Sequence, residues 1–376
     1  MSYREGQRIR QARELARMTQ TDLARRTETS QPTIARIERG ETIADQSILR
    51  SIARATQMPV TFFTDRGPIR QTLGATLRFR EHSRLADKDR RRAHHLGVLS
   101  LELLEELAID ASVSLPAVRI PERAGTETPV ESAHRARAAL GLAQDQPVGH
   151  LARGLERAGV RVFQLPAEGD GAEKHVQAFS EWAAGSEQQP LLFVFRGQAG
   201  DRMRMSMAHE LGHLAMHRVT ADEGQAEMEA FEFAGEFLLP AAAFAADLDG
   251  RVTLARLAEL KRRWRVAIAA MVLRCERLGL IDKGQAKSLW VQISRRGWRR
   301  NEPVHVEPER PRLLRQLAER TYGDPPSARA VGTRHHLPAE LVAQLINEQQ
   351  PPTPVEEGTR APVVEITYGR AAAPSG

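Results

Sequence analysis

His209, Glu210 and His213 stand in the string MAHELGHLAMH, and that string limits what the chain around it can become. Residues four apart on an α-helix share a face, so a helix here sets two imidazoles side by side. Two imidazoles so placed can hold one zinc ion and leave room for a third protein ligand and a water. Glu210, beside the first histidine, then reaches that water as a general base. The fold must supply a helix through DRMRMSMAHELGHLAMH and bring a third donor to it from another element. Gly212 is expected to thin the helix surface where a substrate chain would pass. A bare H-E-x-x-H pattern is frequent by chance, so its surroundings have to carry the assignment.

The third donor is restricted by geometry. His217 lies eight residues beyond His209. Eight residues of helix rise about 12 Å, too far for one zinc with bonds near 2 Å. His217 is therefore expected to pack or to support the site from behind. The longer metalloprotease pattern, with a third histidine six past the second, is absent because position 219 is Val. The next helical run, QAEMEAFEFAGEF, offers Glu227, Glu229, Glu232 and Glu236. For most of these the ordinary role is a solvated charge on a helix, and periodicity alone leaves the choice open.

Composition narrows the partners. The 376-residue chain carries a net charge of +6, a balance that favours contact with a polyanion. Its single cysteine, Cys275, excludes an internal disulfide and a cysteine-based zinc cluster. The start MSYREGQRIRQARELARMTQ lacks an apolar signal core, and no apolar run reaches the roughly 18 residues of a membrane span. A cytoplasmic protein with no membrane partner is the expectation.

Residues 1–66 read as five short helices. EGQRIRQARELARM puts Ile9, Ala12, Leu15 and Ala16 on one face. Thr19 is placed to cap a second helix and Ser30 a third, with Pro32 in the third helix's first turn and Gly40 closing it. Two short helices joined by the turn RTETS have the helix-turn-helix layout, in which the second helix enters the DNA major groove. The reading turn is then Ser30, Gln31, Pro32 and Thr33, with Arg36 one turn on. Glutamine pairs bidentately with adenine, threonine touches a thymine methyl, and arginine reads guanine or clamps phosphate. Gln20 opens the preceding helix, where it can hold a phosphate of double-stranded DNA.

MTQTDLARRT, SQPTIARIERG and PVTFFTD together resemble the Xre family of phage-repressor-like helix-turn-helix domains over about 60 residues. Glu28 departs from the family, which often has glycine in the turn. The resemblance implies operator binding, commonly as a homodimer. The alternative for this segment is a protein-docking head without DNA contact.

The rest of the chain has mixed character. Residues 67–127 read as a basic, partly helical connector, with eight Arg or Lys against three acids between Arg70 and Arg92. Those charges either contact DNA flanks or form a solvated helix. VRVFQLP, HVQAFSEW and PLLFVFRG read as short strands. The core is expected over 128–245, a helical module over 246–305, further helices over 306–348, and a Pro-rich disordered tail over 349–376. LKRRWRVAIAAMVLRCERLGLI has a second helix-turn-helix pattern, with Ala267 where a capping serine is common. It reads as a packing module in preference to a second DNA reader.

Four blocks in order, RMRMSMAHELGHLAMH, EMEAFEFAGEFLLP, LAELKRRWRVAIAAMVLRCERLGLI and SRRGWRRNEP, resemble the ImmA/IrrE metallo-endopeptidase family over about residues 130–305. The resemblance implies a zinc site at His209, His213 and Glu229, with Glu210 as catalytic base, and regulated cleavage of a repressor-like protein during stress or mobile-element induction. The fold expected is mainly α with a small β-sheet, joining a helix-turn-helix domain to a zincin-like core. The competing functional reading is a transcription regulator whose zinc domain serves as a sensor, antitoxin-like binder or dimerisation body without peptidase activity.

Overall fold

The computed structural model describes residues 2–69, 87–166, 177–183, 189–218, 222–250 and 252–346. Most of the basic stretch between Arg70 and Arg92, and the Pro-rich tail, lie outside the described residues. The fold is mainly helical with one small sheet, and among the described residues no helix is long and apolar enough to cross a membrane.

Five helices open the chain: α1 (Ser2–Leu15), α2 (Gln20–Arg26), α3 (Gln31–Glu38), α4 (Gln46–Thr56) and α5 (Val60–Thr64). Their starts are chemically fixed. Thr19 and Asp22 form a reciprocal capping box on α2, the Ser30 side chain accepts from the Thr33 amide on α3, and Asp45 accepts from two amides of α4. Ile9, Leu23, Ile34, Ile52, Phe62 and Phe63 are fully or almost fully buried between these helices. Glu28, in the turn before α3, has φ +54°, a left-handed conformation that a side chain disfavours. That geometry accounts for glycine at this turn in similar domains. Arg13 and Glu38, both buried, lock α1 to α3 with nitrogen–oxygen distances of 2.6 and 2.9 Å.

The next helix, α6 (Asp87–Asp110), is a buried spine. Leu99, Leu103 and Leu107 have no exposed surface. Helix α1 packs on α6, which also packs on the sheet and on a C-terminal helix. The connector region thus contributes to a core shared by the helix-turn-helix domain and the sheet. A buried ionic cluster sits in that joint. Arg8 of α1 donates to both oxygens of Glu102 on α6 at 3.0 and 3.1 Å, and Arg66 donates to the same carboxylate at 3.1 Å. Burial depresses the pKa of Arg8, an effect that the Glu102 carboxylate opposes.

Two helices, α7 (Pro129–Ala139) and α8 (Leu151–Arg157), lead into a three-stranded sheet of β1 (Arg161–Leu165), β2 (Ala178–Ala183) and β3 (Gln189–Phe195). The order is β1-β3-β2, with β1 parallel and β2 antiparallel to β3. Side chains alternate between faces. Leu191, Phe193 and Phe195 point to the core shared with α6, while Leu192 and Val194 point to a second core. Phe193 stacks on Phe163 and Phe179, with centroids 5.3 and 4.6 Å apart. The sheet therefore separates two cores, and both of its faces are apolar.

The second core holds α9 (Gly200–Met216), α10 (Glu223–Leu238), α11 (Ala241–Leu248), α12 (Leu254–Trp264) and α13 (Ile268–Arg277), followed by α14 (Lys283–Arg295). Gly212 does not face open space, contrary to the expectation of a thinned substrate wall. A Cβ there would stand 3.0 Å from the Phe233 ring and 3.3 Å from Ala230. Its role is to let α10 approach α9.

The pair α12–α13 turns at Arg265, φ +57°, in helix-turn-helix fashion. Ala267 supplies no side-chain cap. Instead Glu302 accepts from the Ile268 amide at 2.9 Å and from Lys261 at 2.6 Å. Arg274 points inward to Glu236 of α10. The first turn that a DNA reader would present is thus capped by the protein's own carboxylate, as a packing module requires. The chain then runs back over the N-terminus of α9, where Glu309 pairs with buried Arg204. The last described helices, α15 (Leu313–Tyr322), α16 (Ala328–Arg334) and α17 (Ala339–Leu345), pack against the shared core.

Candidate metal centre and DNA-reading surface

α9 and α10 build the candidate centre between them. On α9 the spacing of four brings the His209 and His213 Nε2 atoms to 3.1 Å. A carboxylate from α10 completes a cluster. Glu227 places one oxygen 3.4 Å from His209 Nε2 and the other 3.6 Å from His213 Nε2. Zinc bonds near 2 Å at tetrahedral angles separate ligand atoms by about 3.3 Å. The two imidazole nitrogens are spaced as neighbouring ligands of one tetrahedral ion and the Glu227 carboxylate faces both; among the described residues the three side chains form a group able to hold a metal, with one ligand atom from each within 4.8 Å of the others. Phe231 lies against the His209 ring, with centroids 4.4 Å apart.

Glu229, the third ligand implied by resemblance, is placed elsewhere. Its carboxylate accepts from Arg123 at 2.6 Å and lies 3.0 Å from His217 Nε2. Burial alone would raise its pKa, but hydrogen bonds from His217, Gln225 and Arg123 outweigh this and bring it to about 2. Glu229 is a carboxylate held behind the site. His217 in turn lies with Nδ1 2.9 Å from His213 Nδ1. A chain of contacts therefore runs from Arg123 through Glu229 and His217 to the back of His213. Metal-binding histidines commonly have such a partner on their other ring nitrogen, which fixes ring orientation and tautomer.

Glu210 is buried, 8% exposed, one residue past His209. The register of β2 explains its orientation. Ser180 lies opposite Leu192 and shares the face that looks toward α9. Its hydroxyl donates to the Glu210 carboxylate at 2.7 Å. Two residues on, on the same face, Trp182 donates to the Leu214 carbonyl at 3.1 Å. The strand thereby pins α9 at both ends of the His-Glu segment. Ser180 and Arg123 do not emerge from motif reading of the sequence, and Glu227 emerges only as one of four candidate carboxylates. For Ser180 the available signal is period-two alternation along AFSEWA; for Arg123, within a Pro- and Gly-punctuated linker, no local signal exists.

The face of α3 expected to read DNA is open. Ser30, Gln31, Pro32 and Arg36 are exposed and Thr33 is half-buried. The Ser30 hydroxyl caps α3 and lies 2.8 Å from the Thr33 hydroxyl. Gln31 donates to the Gln20 side-chain oxygen at 2.7 Å, and Gln20 donates to Glu38 at 2.8 Å. Gln20 thus anchors the Gln31 amide, which removes rotamer freedom that DNA binding would otherwise have to freeze.

Comparison with known families agrees with this division. Residues 9–63 match the family described as Helix-turn-helix, and residues 155–276 match the IrrE N-terminal-like domain of a metallopeptidase family. The two occur in the order expected for a fusion of an Xre-like domain to an ImmA/IrrE-like domain. No curated protein matches the chain.

Proposed function

We propose that this chain, which joins a helix-turn-helix domain to an IrrE N-terminal-like domain, is a DNA-binding regulator with a zinc-dependent endopeptidase centre. Its substrate class is a repressor or similar regulatory protein in stress or mobile-element control. The observation that carries the reading is the convergence of His209, His213 and Glu227, with a ligand atom from each within 4.8 Å of the others and Glu210 next to His209 on the same helix. His209, His213 and Glu227 would hold the ion, Glu227 replacing Glu229 in that role. Zinc bound by such a set acidifies a water and polarises a carbonyl. Glu210, oriented by Ser180, takes the proton and delivers it to the leaving amine. Arg123, Glu229 and His217 keep the His213 ring in place.

A second reading is favoured by one feature, the core and ionic cluster shared by α1, α6 and the sheet. In that reading the zinc centre is a sensor whose state reaches the DNA-binding helices without hydrolysis.

On DNA, Gln31 and Arg36 are assigned to base edges and Gln20 to a phosphate, with two copies of the chain on a two-fold operator. A bidentate base contact contributes about 1–3 kcal/mol. Gln31→Ala with Arg36→Ala is therefore expected to weaken binding to a selected operator by about 100-fold or more, measured by fluorescence anisotropy. Equal affinity of the double variant and the wild type would refute the assignment.

A further inference from the structure

Residues 283–300 contain six Lys or Arg and no Asp or Glu. The whole chain carries a net charge of +6, so outside this segment its charges balance. The segment is α14 and the turn after it. Lys283, Lys287 and Arg295 follow one another at helical spacings of four and eight, all exposed. At 1.5 Å per residue the row covers about 18 Å. Arg299 lines the same shallow groove, about 440 Å³, which runs between α13 and α14 past Trp290 and Val291, with Glu276 of α13 the one acid among its lining residues. Among the described residues, Lys283, Lys287, Arg295 and Arg300 make no ion pair. Like charges so concentrated repel one another and raise the local potential toward any anion.

The apolar part of this surface is small. Trp290 is half-buried on the second core and Val291 is 42% exposed. An acidic amphipathic helix would need a longer apolar strip to bury. A polyanion with regularly spaced charge needs only the row of cations, and about 18 Å of duplex presents about five phosphates on one strand. The neighbouring α13 cannot read bases, because Glu302 occupies its N-terminus and Arg274 is turned inward. We infer that the α13–α14 groove is a second nucleic-acid surface that grips the phosphate backbone of duplex DNA without sequence preference.

The surface is separate from α3 in sequence and chemistry, so its test begins with α3 disabled. The full chain carrying Gln31→Ala and Arg36→Ala is titrated with a random-sequence duplex of about 30 base pairs, at rising salt. Lys283→Glu, Lys287→Glu and Arg295→Glu are then added together, with the corresponding Gln variants as a milder set. Each phosphate contact contributes about 0.9 to the slope of log K against log salt. Removing three is expected to reduce that slope by about 3, and the Gln set is expected to move it in the same direction. Unchanged affinity and slope in both sets would overturn the inference. So would a poly-glutamate peptide that binds this chain more tightly than the duplex and loses its binding in the same variants. Because Gln31 and Arg36 are replaced throughout and the rest of the α2–α3 surface is the same in every protein compared, a change in slope reports on α14 whether or not α3 reads an operator.

Discussion

Glu210→Gln is expected to lower hydrolysis of a protein substrate by about 100- to 10,000-fold, the usual contribution of a positioned general base. Bound zinc should stay at the wild-type level, because Glu210 is not among the three donors that meet at the centre. The replacement is nearly isosteric and can still accept the Ser180 hydroxyl hydrogen bond. Lost turnover with retained metal and fold therefore isolates proton transfer. Ser180→Ala acts on the same carboxylate more mildly, by freeing its orientation. A Glu210→Gln protein that matches the wild type in cleavage would leave the sensor reading in place of the peptidase.

Glu102→Ala is expected to destabilise the protein by about 3 kcal/mol or more, because it leaves buried cations without their carboxylate. Arg8 and Glu102 are 1% and 4% exposed, and Arg66 bonds the same carboxylate. Arg8 keeps Gln11 and the Gly67 carbonyl, and Arg66 keeps Glu106 and the His335 carbonyl, which limits the loss. The cluster lies where α1, α6 and the C-terminal helices meet, so the helix-turn-helix domain and the sheet should lose structure together. Urea denaturation, followed by near-ultraviolet and far-ultraviolet dichroism, reads both quantities. A loss below about 1 kcal/mol, the range of solvent-exposed pairs, or separate unfolding of the two parts would contradict this joint.

The local chemistry of the chain is legible in its sequence. Thr19 and Ser30 announce helix starts, and each accepts an amide hydrogen bond in the structure. The three strands follow Val-, Leu- and Phe-rich runs, and the His-Glu pattern lies on the helix that its spacing demands. Tertiary placement is where local reading ends. Ala226, Ala230, Phe233, Ala234 and Phe237 are the apolar stripe of α10. At about 100° per residue, Glu227 and Glu229 flank that stripe on opposite sides. Periodicity treats them as equivalent, and only the crossing of α10 over α9 sends Glu227 to the imidazoles and Glu229 to His217. Gly212 was open to the same ambiguity, since a helical glycine signals close approach without naming the approaching element. The buried course of α6 is also hidden, because its apolar positions serve the helix-turn-helix domain on one side and the sheet on the other.

The central claim is a zinc centre whose protein ligands are His209, His213 and Glu227. Its most direct test is zinc per chain by elemental analysis, on the wild type, Glu227→Ala and Glu229→Ala, all purified without added metal. The account predicts about one zinc in the wild type, little in Glu227→Ala, and substantial retention in Glu229→Ala, where affinity falls about 10- to 100-fold as for other supporting residues. A folded wild type without zinc, or loss in Glu229→Ala with retention in Glu227→Ala, would contradict it.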